Sequence, residues 1–438
     1  MTFRPTRRQI LTAALATAAS GAVVPIILTE KPAHAAATGT INLNLQPLTP
    51  TRQNTYPIVL VHGFAGFGRN GFHGLVKYWG GLHGDIQQDL VNLGFQTVTA
   101  AIGPFSSNWD RACELYAQIK GGTVDYGLAH SQKFGHARFG RTFSGLLPQW
   151  GQTNANGGIN KVHLIGHSMG AQTMRRLAQL LGQGSAEEMA ATPPGQISPL
   201  FTGGKANWID SITTISGTHN GSSLTNITQQ VLPTAPQLLA VAALFGNVDQ
   251  QLIGYDFNLD QWGLTRMPGE SLAQFISRIN ASGFAHSKDT AETDLLPDTA
   301  AMLNQAVTAQ PDNFLFSVQT LTTQAGANDF QVAEGSTDPP LIPLANAIGK
   351  FTSNKGQIPI TPQWWPNDGL TNTNFMPGPI LNTTDVIATF NGQSVQRAKW
   401  YPLGTLDMVD HLQVIGFGTQ DPKPLYRTLA AFVASLPQ

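Results

Sequence analysis

Lys161 to Gly182 reads KVHLIGHSMGAQTMRRLAQLLG, and the contrast between its two ends decides the fold. KVHLI is a short apolar run, the pattern of a strand buried on both faces. AQTMRRLAQLLG spaces its apolar residues as a helix does. Between them stands Gly166-His167-Ser168-Met169-Gly170, a G-x-S-x-G turn in a strand-to-helix context. So sharp a turn needs small neighbours at 166 and 170. It lifts Ser168 above the strand end, at a helix N-terminus where developing negative charge is favoured. Ser168 is the candidate nucleophile.

Outward from that turn, YPIVLVHGF (56–64), FQTVTAAIG (95–103), SITTISGTHNGSS (211–223) and NFLFSVQT (313–320) read as further short strands. Helix-like stretches separate the earlier ones, and strand alternating with helix implies a mostly parallel sheet in an α/β fold. The stretch from about 220 to 300 is too long for a simple crossover. Its apolar run VLPTAPQLLAVAALFG suits either a core helix or an amphipathic lid, the lid placed at about 222–250. The Gly, Asn, Thr and Pro-rich connections from about 325 to 400 read as long surface loops.

A chain of 438 residues with 41% hydrophobic content can bury a large core. A net charge of −1 with 12% charged residues offers no basic field for nucleic acid. The one cysteine, Cys113, rules out an intramolecular disulfide, so a metal site is worth seeking. At the N-terminus Arg7-Arg8 precedes an Ala-rich apolar run and Ala33-His34-Ala35. Residues 1–35 therefore read as a twin-arginine signal, which predicts a secreted (extracellular or periplasmic) protein without stable membrane insertion. The catalytic domain is expected over 36–438.

A serine hydroxyl needs a base, and the base an orienting acid, which follow the nucleophile in the order Asp then His. His411 in DMVDHLQVIG is the candidate base. Asp368 in WWPNDGLTN is the candidate acid, with Asp407 and Asp410 as rivals. The oxyanion needs N–H donors. The backbone amides of Met169, after the nucleophile, and of Phe64, in the loop after YPIVLVH, are placed to supply them, which makes His62 a structural loop residue. His130 and His136 stand six positions apart and on their own are weak candidates for a metal.

Seven strings, YPIVLVHGFAGFG, KYWGGLHGDI, GPFSSNWDRACELYAQIKGGTVDYG, GHARFGRTFSGLLP, DFNLDQWGL, PNDGLTN and VDHLQVIG, resemble the thermoalkalophilic bacterial lipases, relatives of the staphylococcal lipases and of some polyester hydrolases. The resemblance implies an α/β-hydrolase fold with a helical lid and a small zinc-binding subdomain, inserted at about 70–150 and 255–300. It assigns the triad to Ser168, Asp368 and His411, and the oxyanion amides to Phe64 and Met169. It also implies a structural zinc held by Asp110, His130, His136 and Asp289, with Asp260 and His286 as weaker alternatives for the fourth ligand. The family's calcium site is expected to be absent, because Gln413 is neutral and Asp421-Pro422 falls later than the family pattern has it. The implied function is a secreted serine ester hydrolase, a lipase cleaving acylglycerol esters at a lipid–water or polymer surface. An aliphatic polyester or a shorter-chain ester would use the same residues. A non-catalytic lipid-binding scaffold would have lost a triad member, and none is missing. The oligomeric state is left open.

Overall fold

The computed structural model describes residues 39–231 and 255–438. The expected signal at 1–35 and the lid stretch beyond residue 231 lie outside them; the lid stretch begins with a helix, Ser223–Val231. No helix of the described residues is long and apolar enough to cross a membrane.

Eleven strands are described: β1 Ile58–Val61, β2 Thr97–Thr99, β3 Gly122–Asp125, β4 Phe139–Phe143, β5 Val162–His167, β6 Ile209–Ile215, β7 Phe314–Leu321, β8 Thr323–Ala325, β9 Gln331–Ala333, β10 Val386–Ile387 and β11 Lys399–Asp407. Seven of them form a sheet in the order β10-β11-β7-β6-β5-β1-β2, and every pairing in it is parallel. β1 and β5 are buried along their whole length. Alternation along β1 sends Ile58 and Leu60 into one apolar layer, with Leu425, Leu429 and Phe432 of the helix Lys423–Ala434. Val59 and Val61 enter the opposite layer, with Leu115 and Ile119 of the helix Asn108–Lys120 and Leu177 and Leu181 of the helix Gly170–Gln183. The result is the three-layered α/β-hydrolase architecture that the resemblance implied.

From β1 the chain moves outward to β2, then returns past β1 to β5 and continues the other way. Strand order therefore reverses between β1 and β5, and ligands in open α/β sheets bind beyond the carboxyl ends of strands at such a point. Gly63 and Ser168 stand there.

Two expectations need correction, and one strand went unread. Part of the 70–150 stretch belongs to the central sheet, because β2 pairs with β1; what stands apart is the antiparallel pair β3–β4. The segment 325–400 is not simply surface loop. It holds β8 and β9, the helix Ile342–Ile348 and a small core in which Trp364 stacks on Phe375 at 3.7 Å. Finally, β11 had no strand-like signature, since Pro402 and Gly404 interrupt it where its register on β7 shifts.

Candidate active site and metal centre

At the turn after β5, Ser168 has φ 58°, a left-handed conformation costing a non-glycine residue roughly 1–3 kcal/mol. Packing enforces it. A Cβ on Gly170 would lie 2.5 Å from the carbonyl oxygen of Val61, and one on Gly63 would lie 2.6 Å from Cβ of Ser168. Glycine at both positions lets the turn sit directly against the loop that follows β1. Ser168 N–H donates to the carbonyl of Ile215 at 2.9 Å, tying the turn to β6.

His411 and Asp368 meet across 43 residues, with Nδ1 of the imidazole 2.7 Å from Oδ2 of the carboxylate. Both side chains are buried. Three further donors fix that carboxylate: Oδ2 accepts from Thr320 Oγ1 at 2.7 Å, and Oδ1 accepts from the amides of Leu370 and Thr371 at 3.1 and 2.8 Å. The His411 ring lies 4.5 Å, centroid to centroid, from that of His167, which precedes Ser168. The rivals of Asp368 are placed otherwise. Asp407 is exposed, and Asp410 accepts from the amides of Leu412 and Gln413. Gln413 extends its Nε2 to the carbonyl of Ser336 at 2.7 Å.

In the loop after β1, Gly63 N–H donates to Tyr78 Oη at 3.0 Å and Ala65 N–H to the carbonyl of Pro104 at 3.0 Å. Between them the amide of Phe64 has no acceptor among the described residues, and neither has that of Met169. His62 is fully buried and cannot act as a base. Its Nδ1 meets the carbonyl of Gly63 at 2.9 Å, its Nε2 accepts from Ile102 N–H, and burial, reinforced by nearby Arg111, lowers its pKa to about 3. The buried guanidinium of Arg111 holds the same loop, donating to the carbonyls of His62 and Gly103 and to Thr173 Oγ1.

Elsewhere, Asp110, His130, His136 and Asp289 bring one ligand atom each into a cluster spanning at most 4.8 Å. His130 Nε2 lies 3.3 Å from Asp110 Oδ1 and 3.2 Å from Asp289 Oδ2, and His136 Nε2 lies 3.9 and 3.3 Å from the same two oxygens. Donors about 2.1 Å from a tetrahedrally bound zinc stand about 3.4 Å apart, so the residues fit such an ion. Asp110 Oδ1 and His136 Nε2 are moreover buried with no hydrogen-bond partner among the described residues, the condition a cation would relieve. His136 Nδ1 donates to the carbonyl of Ala137 at 2.9 Å, which turns the Nε2 lone pair inward. Gln261 Nε2 donates to Asp110 Oδ2 at 2.9 Å, and Trp109 stacks on His130 at 4.9 Å. The weaker alternatives lie outside the cluster: Asp260 pairs with Arg141, and His286 is exposed.

Sequence reading missed four supporting residues, Tyr78, Arg111, Thr320 and Glu188. Glu188, from the helix Ala186–Ala191, accepts from the amides of Ala129 and His130 at 3.0 and 2.8 Å. It thereby caps the helix Leu128–Phe134, which has no side-chain cap of its own. Nothing in the local sequence separates these side chains from ordinary core or surface residues.

A family model described as "Lipase-like, C-terminal domain" matches residues 54–438. Lipase 1 of Staphylococcus aureus is 37% identical over 380 residues, covering 84% of this chain and 52% of the relative. The chain thus spans about half the length of the curated relatives it matches. Among solved structures, lipase 1 from Pelosinus fermentans is 45% identical with a TM-score of 0.78, covering 88% of this chain and 100% of that one. EstA from Clostridium botulinum is 39% identical with a TM-score of 0.81, each chain covered to 100%. Staphylococcus hyicus lipase is 33% identical with a TM-score of 0.72, covering 89% of this chain and 96% of that one.

Proposed function

The chain belongs to the family of the lipase-like C-terminal domain, and from that premise we propose that it is a secreted carboxylic ester hydrolase of the lipase type, exported by a twin-arginine signal at residues 1–35. Its substrate is an acylglycerol ester at a lipid–water surface. His411 removes the proton of Ser168, and Ser168 Oγ attacks the ester carbonyl. The amides of Phe64 and Met169 receive the oxyanion, since both lack an acceptor among the described residues while those of Gly63, Ala65 and Ser168 are committed elsewhere. His411 then protonates the departing alkoxide, and water enters by the same steps to release the acid. Asp368 keeps His411 in the tautomer whose Nε2 is free to take the proton.

The observation that carries this reading is the 2.7 Å bond between His411 and Asp368, next to a serine held at φ 58°. Zinc is the metal proposed for Asp110, His130, His136 and Asp289. With all four positions filled by protein, its part is to cross-link the chain. The residues proposed for catalysis lie outside the cluster, so no step requires it.

Replacement of Ser168 by Ala tests the reading. Hydrolysis of p-nitrophenyl esters and labelling by a fluorophosphonate should both vanish while the circular-dichroism spectrum is unchanged. Turnover surviving in that variant at more than about one-thousandth of the parent rate would exclude Ser168 as the nucleophile. Comparing emulsified long-chain triglyceride with a polyester film then fixes the substrate class.

A further inference from the structure

Tyr78 lies between β1 and the helix Ile86–Asn92 and is buried. Its Oη is 3.0 Å from the amide of Gly63 and 2.7 Å from His167 Nδ1. On the other side of that imidazole, Nε2 is 3.0 Å from the carbonyl oxygen of His411. Valence fixes the protons. A carbonyl only accepts, so the proton of neutral His167 is on Nε2; Nδ1 is then bare, and the phenolic hydrogen of Tyr78 fills the 2.7 Å contact. A remaining lone pair of Oη takes the Gly63 N–H. Burial, reinforced by neighbouring His411, holds the pKa of His167 well below its usual value, which keeps the ring neutral, and the two hydrogen bonds select the tautomer.

Each end of this chain of bonds is backbone at or next to a reacting group. Gly63 precedes Phe64, His167 precedes Ser168, and the carbonyl belongs to His411 itself. From this geometry we infer that Tyr78 and His167 form a positioning relay, which sets the oxyanion loop and the His411 turn in register with Ser168 for the ester hydrolysis proposed above. The relay rests on that reading. Neither residue touches the substrate, and their effect is on where the base and the oxyanion donors stand when the ester carbonyl is attacked.

Phenylalanine at 78 keeps the ring and removes both bonds. At 167 two variants divide the imidazole between them. Asparagine places its amide near the position of Nδ1, and glutamine places its amide near that of Nε2. Active sites are titrated with a fluorophosphonate, so that kcat is expressed per reactive Ser168. Tyr78→Phe should then lower kcat for p-nitrophenyl butyrate about tenfold to a hundredfold, with KM changed by less than about twofold. Affinity for a boronic acid transition-state analogue should fall by the same factor as kcat/KM. His167→Gln, able to donate to the His411 carbonyl, should retain more activity than His167→Asn.

A merely structural role would reduce the number of titratable sites and leave the rate per site intact. A Tyr78→Phe enzyme whose kcat per site stays within about twofold of the parent refutes the relay. Should that variant fail to fold, equal rates per site in the Gln and Asn variants at 167 refute it. A parent protein that neither hydrolyses esters nor takes the phosphonate fails differently: it overturns the serine-hydrolase reading and the relay with it.

Discussion

Stripping the metal should cost the protein much of its thermal stability and little of its chemistry. Asp110, His130, His136 and Asp289 come from three separate stretches of chain, and the closure from His130 to Asp289 alone spans 159 residues. With one buried cysteine the chain has no disulfide to close that loop. Treated as a cross-link, closing it removes roughly 5 kcal/mol of unfolded-chain entropy at 25 °C. At about 2 °C per kcal/mol for a large domain, the melting temperature should fall by about 10 °C. In the metal-free cluster a proton takes part of the cation's place. Without a cation, burial and the neighbouring Asp289 raise the pKa of Asp110. For His130, burial works downward, but the two carboxylates prevail and lift the imidazole to about 9. Protons therefore compete for the site, and the metal-free cluster is a poorer clasp.

The assay is a thermal scan at pH 7.5 of protein as purified, protein treated with 1,10-phenanthroline, and stripped protein reloaded with zinc. Metal content is measured on each sample, and ester hydrolysis per phosphonate-titrated site is read at 25 °C. Stripped protein should melt about 10 °C lower, recover on reloading, and keep most of its rate per site. Asp289→Asn should melt near the stripped protein and gain little from added zinc. A fully stripped protein melting within about 2 °C of the loaded one would refute the cross-link argument. Immediate loss of rate per site in folded, stripped protein would refute the separation of metal from chemistry.

Asp368→Asn should leave the fold intact and lower kcat about 10³- to 10⁴-fold, since an amide no longer selects the required tautomer of His411; steady-state kinetics on p-nitrophenyl esters measures it. Glu188→Ala should uncap the helix carrying His130 and weaken zinc retention about tenfold, read as faster loss to a chelator. A pH dependence follows from Glu114, where burial raises the pKa to about 8, opposed in part by hydrogen bonding from the Gly103 amide and Tyr126. A raised carboxyl contributes stability that is fully present below its unfolded pKa, near 4.5, and is lost as pH rises through 8, at up to about 1.4 kcal/mol per pH decade. Urea unfolding between pH 5 and 9 should accordingly show a decline in the parent that Glu114→Gln largely removes.

What was legible in the sequence was the chemistry that depends on local order. KVHLIGHSMGAQ declares a strand, a turn and a helix through periodicity within a dozen residues, and the positive φ of Ser168 follows from that arrangement. The His411–Asp368 pair was legible only as chain order, because its geometry closes over 43 residues. The resemblance raised Asp368 above Asp407 and Asp410. The segment 325–400 misled because its order is not periodic: Asn367 Nδ2 donates to the carbonyls of Ala345 and Trp365, and Asn372 Nδ2 donates to Ser223 Oγ. Side-chain amides there satisfy buried polar groups that a strand would satisfy by alternation. Tyr78, Arg111 and Glu188 lay beyond sequence reading for a related reason. Each makes one or a few contacts across roughly 15 to 90 residues, and no spacing rule joins such partners. A motif can name the atoms that react. The atoms that aim them are chosen by the folded chain, so variants at positions such as 78 and 188 separate positioning from composition more sharply than further replacements within the proposed triad.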